Sequence, residues 1–447
     1  MNKNPREIAL DVLLDIEKNN TFSNEALGKA LRSNQFMDKK NRAYINRIVS
    51  GVTEQRIKLD YIINQFSKTK VSKCKPLIRC VLRMGVYEIF YMTSIPEEAT
   101  CNEYVKLTTK RHFNSLKGFV NGVLRNISRN KDNLNFPDRN EDVALYMSVE
   151  YSCPEELVQL LMKDYDIDIL ERILSAQNDN RGTTIRVNQN KISVDEYKKI
   201  LTDNGIKAEA GKYNKTSLII SDYDYIRRVP GFFDGYFTVQ DESSSLAVMA
   251  CGIKKGDIIV DMCAAPGGKT LYASEITGAT GKVYAGDISQ EKVDLIEENI
   301  ERLNIENVEV TVRDATAIDE KLLGKADVVI ADLPCSGLGV MARKNDIKYH
   351  VTENSIEELS SLQRQMLTVA AGYVKSGGTL VFSTCTIDTM ENEKNVAWFT
   401  ENYDFELQSM EEYMPDSLKD RSKKGYMTLL QGVDECDGFF ISRMIKK

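Results

Sequence analysis

A thiol between two threonines ends the apolar run of FSTCTI (382–387), and a second thiol follows a proline in ADLPCSG (331–337). A free cysteine ordinarily packs as a small hydrophobe, so each, taken alone, reads as core. Their company changes that reading. Five apolar runs, DIIVDMC, KVYAGD, VEVTVRDA, ADVVIADLP and GTLVFSTC, carry at their carboxyl ends Asp261 with Cys263, Asp287, Asp314, Asp332 with Cys335, and Cys385. Thiols beside carboxylates are the material for nucleophilic addition coupled to proton transfer. A thiol of pKa about 8.5 is a competent nucleophile even when slightly ionised, and a nearby cation such as Lys269 lowers that pKa further. Only His112 and His350 are present, which leaves little for imidazole ligation or a Ser-His-Asp triad.

For these residues to meet, the five runs must be neighbouring strands that point the same way. From about Gly256 near-continuous apolar strands alternate with helical stretches, which implies a parallel sheet covered on both faces, with ligands in the crevice beyond the strand ends. The first turn, CAAPGGKT (263–270), places two glycines before a helix, where backbone can approach a ligand closely. A P-loop would need glycine where Cys263 stands, and the dinucleotide pattern GxGxxG is absent. Asp287, roughly 20 residues beyond Gly268, keeps the spacing of a ribose-hydroxyl partner. Ribose without pyrophosphate points to S-adenosyl-L-methionine, with its ribose on Asp287, its cationic methionine end at the glycine turn and carboxylates, and its adenine near Asp314.

The rest of the chain must support that crevice. With 447 residues, 42% of them hydrophobic, it can bury several cores. Apolar positions at the amino terminus are broken by Asp11 and Asp15, unlike a signal peptide, and no later run reaches membrane-spanning length; the expectation is a cytoplasmic protein with no membrane partner. Nine scattered cysteines without a CxxC pair suit a reducing compartment and argue against a disulfide framework or a bound metal. From Pro5, with Asn4 placed to cap, amphipathic helices follow one another to Asn130, and Pro76 and Pro96 mark further starts. That stretch holds about 23 Lys and Arg against about 12 Asp and Glu, so a net charge of −7 hides a basic helical domain suited to phosphates. KDNLNFPDRNED (131–142) is polar and aperiodic and reads as a linker, while TTIRVNQ (183–189) and TSLIIS (216–221) read as strands around the helix SVDEYKKILTDNG (193–205). LGVMARKNDIKYHV (338–351) is longer than an ordinary connection; it carries Arg343, Lys344 and Lys348 and is expected to close over substrate and meet flanking RNA phosphates.

RMGVYEIFYM (83–92) and GFVNGVLRNISR (118–129) resemble the NusB RNA-binding fold, and DMCAAPGGKT, ADLPCSGLGV and FSTCTI, in this order, resemble the RNA 5-methylcytosine methyltransferases. With GYFTVQDESSS (235–245) leading into the core and DGFFISRM (437–444) as its closing strand, nearly the whole chain is similar to the RsmB (Sun) family, which acts on 16S rRNA. The resemblance implies a multidomain fold: an all-α NusB-like RNA-binding domain (1–130), a linker (131–145), a small α+β, RRM-like domain (146–240) and an α/β, Rossmann-like class I methyltransferase domain (241–447). It implies that Cys263, Ala264, Ala265, Pro266, Gly267, Gly268 and Lys269 bind the cofactor with Asp287, Asp314 and Asp332. The implied partner is 16S rRNA or an early small-subunit assembly intermediate, met by a monomer.

That chemistry explains two thiols. Carbon 5 of cytosine is too weak a nucleophile to take a methyl group, but a thiolate added at carbon 6 turns the ring into an enamine that can. The family resemblance makes Cys385 the attacking thiol and Cys335 the base that removes the carbon 5 proton; Asp332 polarises the ring and Lys269 favours the thiolate. Two other classes stay open, an RNA-binding assembly factor with an idle catalytic domain and a nucleotide hydrolase. The intact thiols oppose the first, and Cys263 opposes the second.

Overall fold

The structure, a computed structural model, describes residues 4–178 and 182–447. It divides into two compact units, Met1–Gln177 with Met341–Val351, and Asn178–Val340 with Thr352–Lys447. The described part of the first unit holds α1 (Pro5–Asn19), α2 (Ser23–Ser33), α3 (Lys39–Glu54), α4 (Arg56–Phe66), α5 (Pro76–Tyr91), α6 (Glu97–Lys110), α7 (Lys117–Arg129), α8 (Val143–Glu150), α9 (Glu155–Leu161) and α10 (Ile167–Ser175). Asn4 caps α1, accepting from Arg6 N at 3.0 Å, and Pro76 occupies the first turn of α5. Helix α5 is central: Ile78, Val81, Leu82, Met84 and Val86 are buried. Its Glu88, also fully buried, is tolerated because Arg6 Nε (3.0 Å) and Nη2 (2.9 Å), Thr100 Oγ1 (3.0 Å) and Tyr104 OH (2.6 Å) all donate to it.

Helices α8 to α10 cluster with those before them, and strands begin at Thr183. At 8, 7 and 9 residues these helices are too short to show a sustained helical period. One expectation from the sequence is corrected in this unit. Met341–Val351 is built into the helical unit, and Lys348 is 0% exposed. Its Nζ donates to Glu54 O (3.2 Å), Tyr151 O (3.2 Å) and Gln177 Oε1 (2.9 Å), so the three donors of an ammonium meet three acceptors. Burial pulls its pKa down to about 8, which leaves it charged at neutral pH. Asp346 accepts from Ser23 N, and the Arg56 guanidinium lies 3.6 Å from the centroid of the Tyr349 ring. Lys348 is therefore an interior cation that cannot reach a phosphate; Arg343 and Lys344 are exposed.

The second unit carries two sheets. β1 (Thr183–Val187), α11 (Val194–Asp203), β2 (Lys207–Ala210), β3 (Ser217–Ser221) and β4 (Phe237–Val239) form an antiparallel sheet of order β2-β3-β1-β4 with one helix. A Ser193–Glu196 capping box opens α11, which buries Tyr197 and Leu201 against Ile185, Leu218, Ile220 and Phe237. After α12 (Glu242–Ala250) come β5 (Ile258–Asp261), α13 (Gly268–Thr277), β6 (Lys282–Asp287), α14 (Gln290–Leu303), β7 (Val308–Val312), β8 (Ala326–Asp332), α15 (Glu353–Tyr373), β9 (Val374–Thr384), α16 (Glu393–Asn402), β10 (Phe405–Leu407), α17 (Lys419–Ser422), β11 (Tyr426–Leu429) and β12 (Phe439–Lys446). The larger sheet runs β10-β12-β9-β8-β5-β6-β7, with β11 paired to β12. The five strands foreseen from the apolar runs, β5 to β9, are mutually parallel, and β12 joins them antiparallel. The order turns at β5, whose neighbours β6 and β8 lead to opposite edges, and a crevice opens at that point. No helix among the described residues is long and apolar enough to cross a membrane.

Candidate active site

β5 delivers Asp261 to the crevice, and the CAAPGG turn leads from it into α13. Gly267, at the cap of α13, has φ +105°, a conformation that a side chain would strain. Asp261 is buried; its Oδ2 accepts from Thr270 Oγ1 at 2.6 Å, its Oδ1 has no hydrogen-bond partner, and burial raises its pKa to about 6. At the end of β6, Asp287 accepts from Ala265 N (2.9 Å) and Ile288 N (2.8 Å) and pairs with Lys292 Nζ at 2.9 Å. It thereby ties the turn to the neighbouring strand.

A cavity of about 490 Å³ opens beside that turn. Three carboxylates, Asp287, Asp314 and Asp332, face it together with apolar walls from Met262, Ile288, Leu333, Leu362 and Met366. Exposed Asp314 accepts from Thr316 N (2.9 Å) and Oγ1 (2.7 Å), and these bonds hold its pKa down. Cys263 also lines the cavity; burial first, then the charges of Asp287, Asp261 and Asp332, push its pKa up to about 12, so it is a neutral wall. Carboxylates with apolar walls fit a cationic nucleoside, whose hydroxyls and positive charge they can hold, and disfavour a polyphosphate chain.

At the Asp332 end of this cavity the thiols meet. Cys335 and Cys385, 50 residues apart in sequence, have their sulfurs 3.4 Å from one another. Strand register sets Asp332 beside Ser383, whose Oγ donates to Asp332 Oδ1 at 2.8 Å, while Lys269 Nζ pairs with Oδ2. Burial, the largest influence on Lys269, favours loss of its proton. Asp332, by charge and hydrogen bond, then Asp261 and Cys385 outweigh it and raise the pKa. A thiolate at Cys385 would add to the charges that hold the ammonium, and the attraction would work both ways. Cys335 sits differently: its hydrogen bond with Cys385, then burial, then the charges of Cys385, Glu391 and Asp332 hold its pKa well above the usual thiol range.

The structure therefore gathers Cys263, Ala265, Asp287, Asp314 and Asp332 on one cavity, with Lys269, Cys335 and Cys385 around Asp332. Ala264 is buried behind the turn, Pro266 O accepts from Asn299 Nδ2 at 3.1 Å, and Gly267 and Gly268 form the cap of α13. Several residues escaped the sequence reading. Lys292 and Arg313 line the cavity as cations without any motif, and Leu362 and Met366 belong to the apolar stripe of α15. Glu391 and Gln363 are buried behind the thiols; the signal for Glu391 was the polar run MENEKN (390–395), and Gln363, within α15, had none. Among the described residues no group of three or more His, Cys, Asp or Glu could hold a metal ion.

Three family models match the chain. Residues 248–445 match the family model described as 16S rRNA methyltransferase RsmB/F, residues 3–129 match the NusB family, and residues 153–224 match the ferredoxin-like domain of RsmF/B-like methyltransferases. A probable ribosomal RNA small subunit methyltransferase B of Bacillus subtilis (strain 168) is 34% identical over 445 residues, which cover 99% of this chain and 98% of the relative. The ribosomal RNA small subunit methyltransferase B of Escherichia coli O127:H6 is 30% identical over 417 residues, 92% of each chain. The crystal structure of PH0851 shares the fold over 100% of both chains, with a TM-score of 0.82 at 24% identity. The chain belongs to the RsmB/F family of methyltransferases, with a NusB-like helical domain, a ferredoxin-like domain and a Rossmann-like catalytic domain in one polypeptide.

Proposed function

We propose that the protein transfers a methyl group from S-adenosylmethionine to carbon 5 of a cytosine in 16S rRNA, through a covalent bond between Cys385 and the base. The observation that carries this reading is the pair of thiols 3.4 Å apart beside the Lys269–Asp332 ion pair, at the end of a carboxylate-lined cavity. S-adenosylmethionine, when bound, supplies an electrophilic methyl group on a cationic sulfur. Asp287 would hold its ribose, the turn 263–268 its methionine end, and the wall near Asp314 its adenine. On the protein side, Lys269 stabilises the Cys385 thiolate, which bonds to carbon 6 and pushes the ring electrons toward nitrogen 3. Asp332 takes a proton from the Lys269 ammonium and donates it to that nitrogen as charge develops. Carbon 5 then takes the methyl group.

Release runs through Cys335. Its proton is held chiefly by Cys385, and once Cys385 is bonded to carbon no thiolate charge remains there to oppose a second ionisation. Cys335 releases its own proton to solvent and, as the thiolate, takes the carbon 5 proton; the carbon 5–carbon 6 double bond re-forms, the Cys385 thiolate leaves, and nitrogen 3 returns its proton to Lys269 through Asp332. The substrate would be 16S rRNA or an early assembly intermediate, met by a cytoplasmic monomer. Loss of 5-methylcytosine at one site of 16S rRNA in a deletion strain tests the activity; an unchanged modification map would remove it.

Two further outcomes are expected. Asp287→Ala removes a charge-assisted hydrogen bond and should weaken S-adenosylmethionine binding by about 1.5 to 3 kcal/mol, with RNA affinity retained, as calorimetry with each ligand would show. RNA affinity of the full chain should fall about a thousandfold between 50 and 200 mM salt, because basic groups of the helical unit, with Arg343 and Lys344, displace counterions. Not every cation there is available: Arg79 pairs with Glu17 and Arg83 with Asp60 inside the unit. A flat salt response would remove the phosphate-binding surface.

A further inference from the structure

Behind the two thiols lies a buried carboxylate that the methyl transfer above does not use. Glu391 is 0% exposed. It accepts from Ser336 N at 2.9 Å, from Gln363 Nε2 at 2.9 Å, and from Ser336 Oγ. Gln363 also donates to Pro334 O at 3.0 Å. Both sequence neighbours of Cys335 are therefore tied to one carboxylate, directly or through one side chain. From Ser336 the network continues to the other thiol: Ser336 Oγ meets Thr386 Oγ1 at 2.7 Å, and Thr386 follows Cys385.

A carboxylate buried this deeply is costly, and an apolar side chain of similar volume would pack as well or better. Burial raises the pKa of Glu391, while hydrogen bonds from Ser336 and Gln363 oppose that shift. The gain lies in geometry. An apolar side chain could fill the space, but it could not fix the Ser336 N–H, the Ser336 hydroxyl and the Gln363 amide at once.

We propose that Glu391 is a positioning residue for the release step: it sets the Cys335 turn against Cys385, so that Cys335 reaches the carbon 5 proton after methyl transfer. The inference rests on the function proposed above. Addition runs through Cys385, Lys269 and Asp332, whereas removal of the proton needs the Cys335 turn that Glu391 holds by direct hydrogen bonds to Ser336. Weakening this carboxylate should therefore separate the two steps.

The test uses the full chain with Glu391→Gln, which keeps the shape but turns an acceptor into a donor facing other donors. First-turnover methylation should stay near the wild-type yield, steady-state turnover should fall at least tenfold, and a methyl-labelled protein–RNA crosslink should survive denaturing electrophoresis. Unchanged calorimetric affinity for S-adenosylmethionine would show that the catalytic fold is intact. Ser336→Ala removes the hydroxyl between Glu391 and Thr386; it should give the same separation to a smaller extent, and it decides the matter alone if Glu391→Gln does not fold. Equal loss of first turnover and steady state without crosslink, or wild-type turnover in both variants, would overturn the role of Glu391. Cys335→Ser distinguishes the two layers. If it forms no crosslink, the release chemistry itself fails and this role fails with it; if it crosslinks while Glu391→Gln and Ser336→Ala do not, only the role of Glu391 fails.

Discussion

Cys335→Ser is expected to capture its RNA: one methyl group transferred per protein, then a covalent protein–RNA complex that carries the label and resists denaturing electrophoresis. In the mechanism proposed above, serine would remove the group that takes the carbon 5 proton, and without that step the Cys385–carbon 6 bond would not break. Cys385→Ser should behave differently, losing methyl transfer by at least about a thousandfold and forming no adduct, because a serine hydroxyl is too weakly acidic to add at carbon 6. The electrostatics supports this order. Lys269 and a thiolate at Cys385 would attract one another, whereas the hydrogen bond with Cys385, burial and the charges of Glu391 and Asp332 favour the protonated form of Cys335. A labelled crosslink from Cys385→Ser, with none from Cys335→Ser, would exchange the roles of the two thiols.

Lys348→Met should destabilise the helical unit by about 3 kcal/mol, seen as a shift of its denaturant transition, because three buried acceptors lose their donor at once. In a unit of this size such a loss lowers the melting temperature by roughly 10 °C. Lys344→Met, at an exposed position in the same segment, is the control and should change stability by less than about 0.5 kcal/mol. Equal effects from the two lysines would mean that the interior ammonium contributes nothing beyond its aliphatic stem. The measurement also separates stability from RNA contact: Lys344→Met should weaken RNA binding at low salt, whereas folded Lys348→Met should not.

The catalytic crevice was legible early because a parallel sheet leaves little freedom. Once DIIVDMC, KVYAGD, VEVTVRDA, ADVVIADLP and GTLVFSTC are strands in one parallel sheet, their carboxyl ends lie on one edge, and Asp261, Asp287, Asp332 and the two thiols must share it. Helix starts at Pro5 and Pro76 and the glycine turn before α13 were equally local, written in residues that act on their own backbone.

What the sequence by itself determined was therefore the helical character of residues 5–130, the five parallel strands, the edge at which reactive side chains gather and the family the chain resembles. Only the tertiary structure decided which charged residues are interior. Lys344 and Lys348 stand four positions apart in the same run, yet one is exposed and the other fully buried, because Glu54, Tyr151 and Gln177, far away in sequence, supply the acceptors. Glu391 is the same case in the catalytic unit: an acidic residue in a polar run acquires its place only when Ser336 and Gln363 close around it. Burial and pairing are properties of contacts between distant segments, whereas periodicity, capping and turn chemistry are properties of neighbours. A sequence read along its length displays the second directly and the first only after the chain has folded.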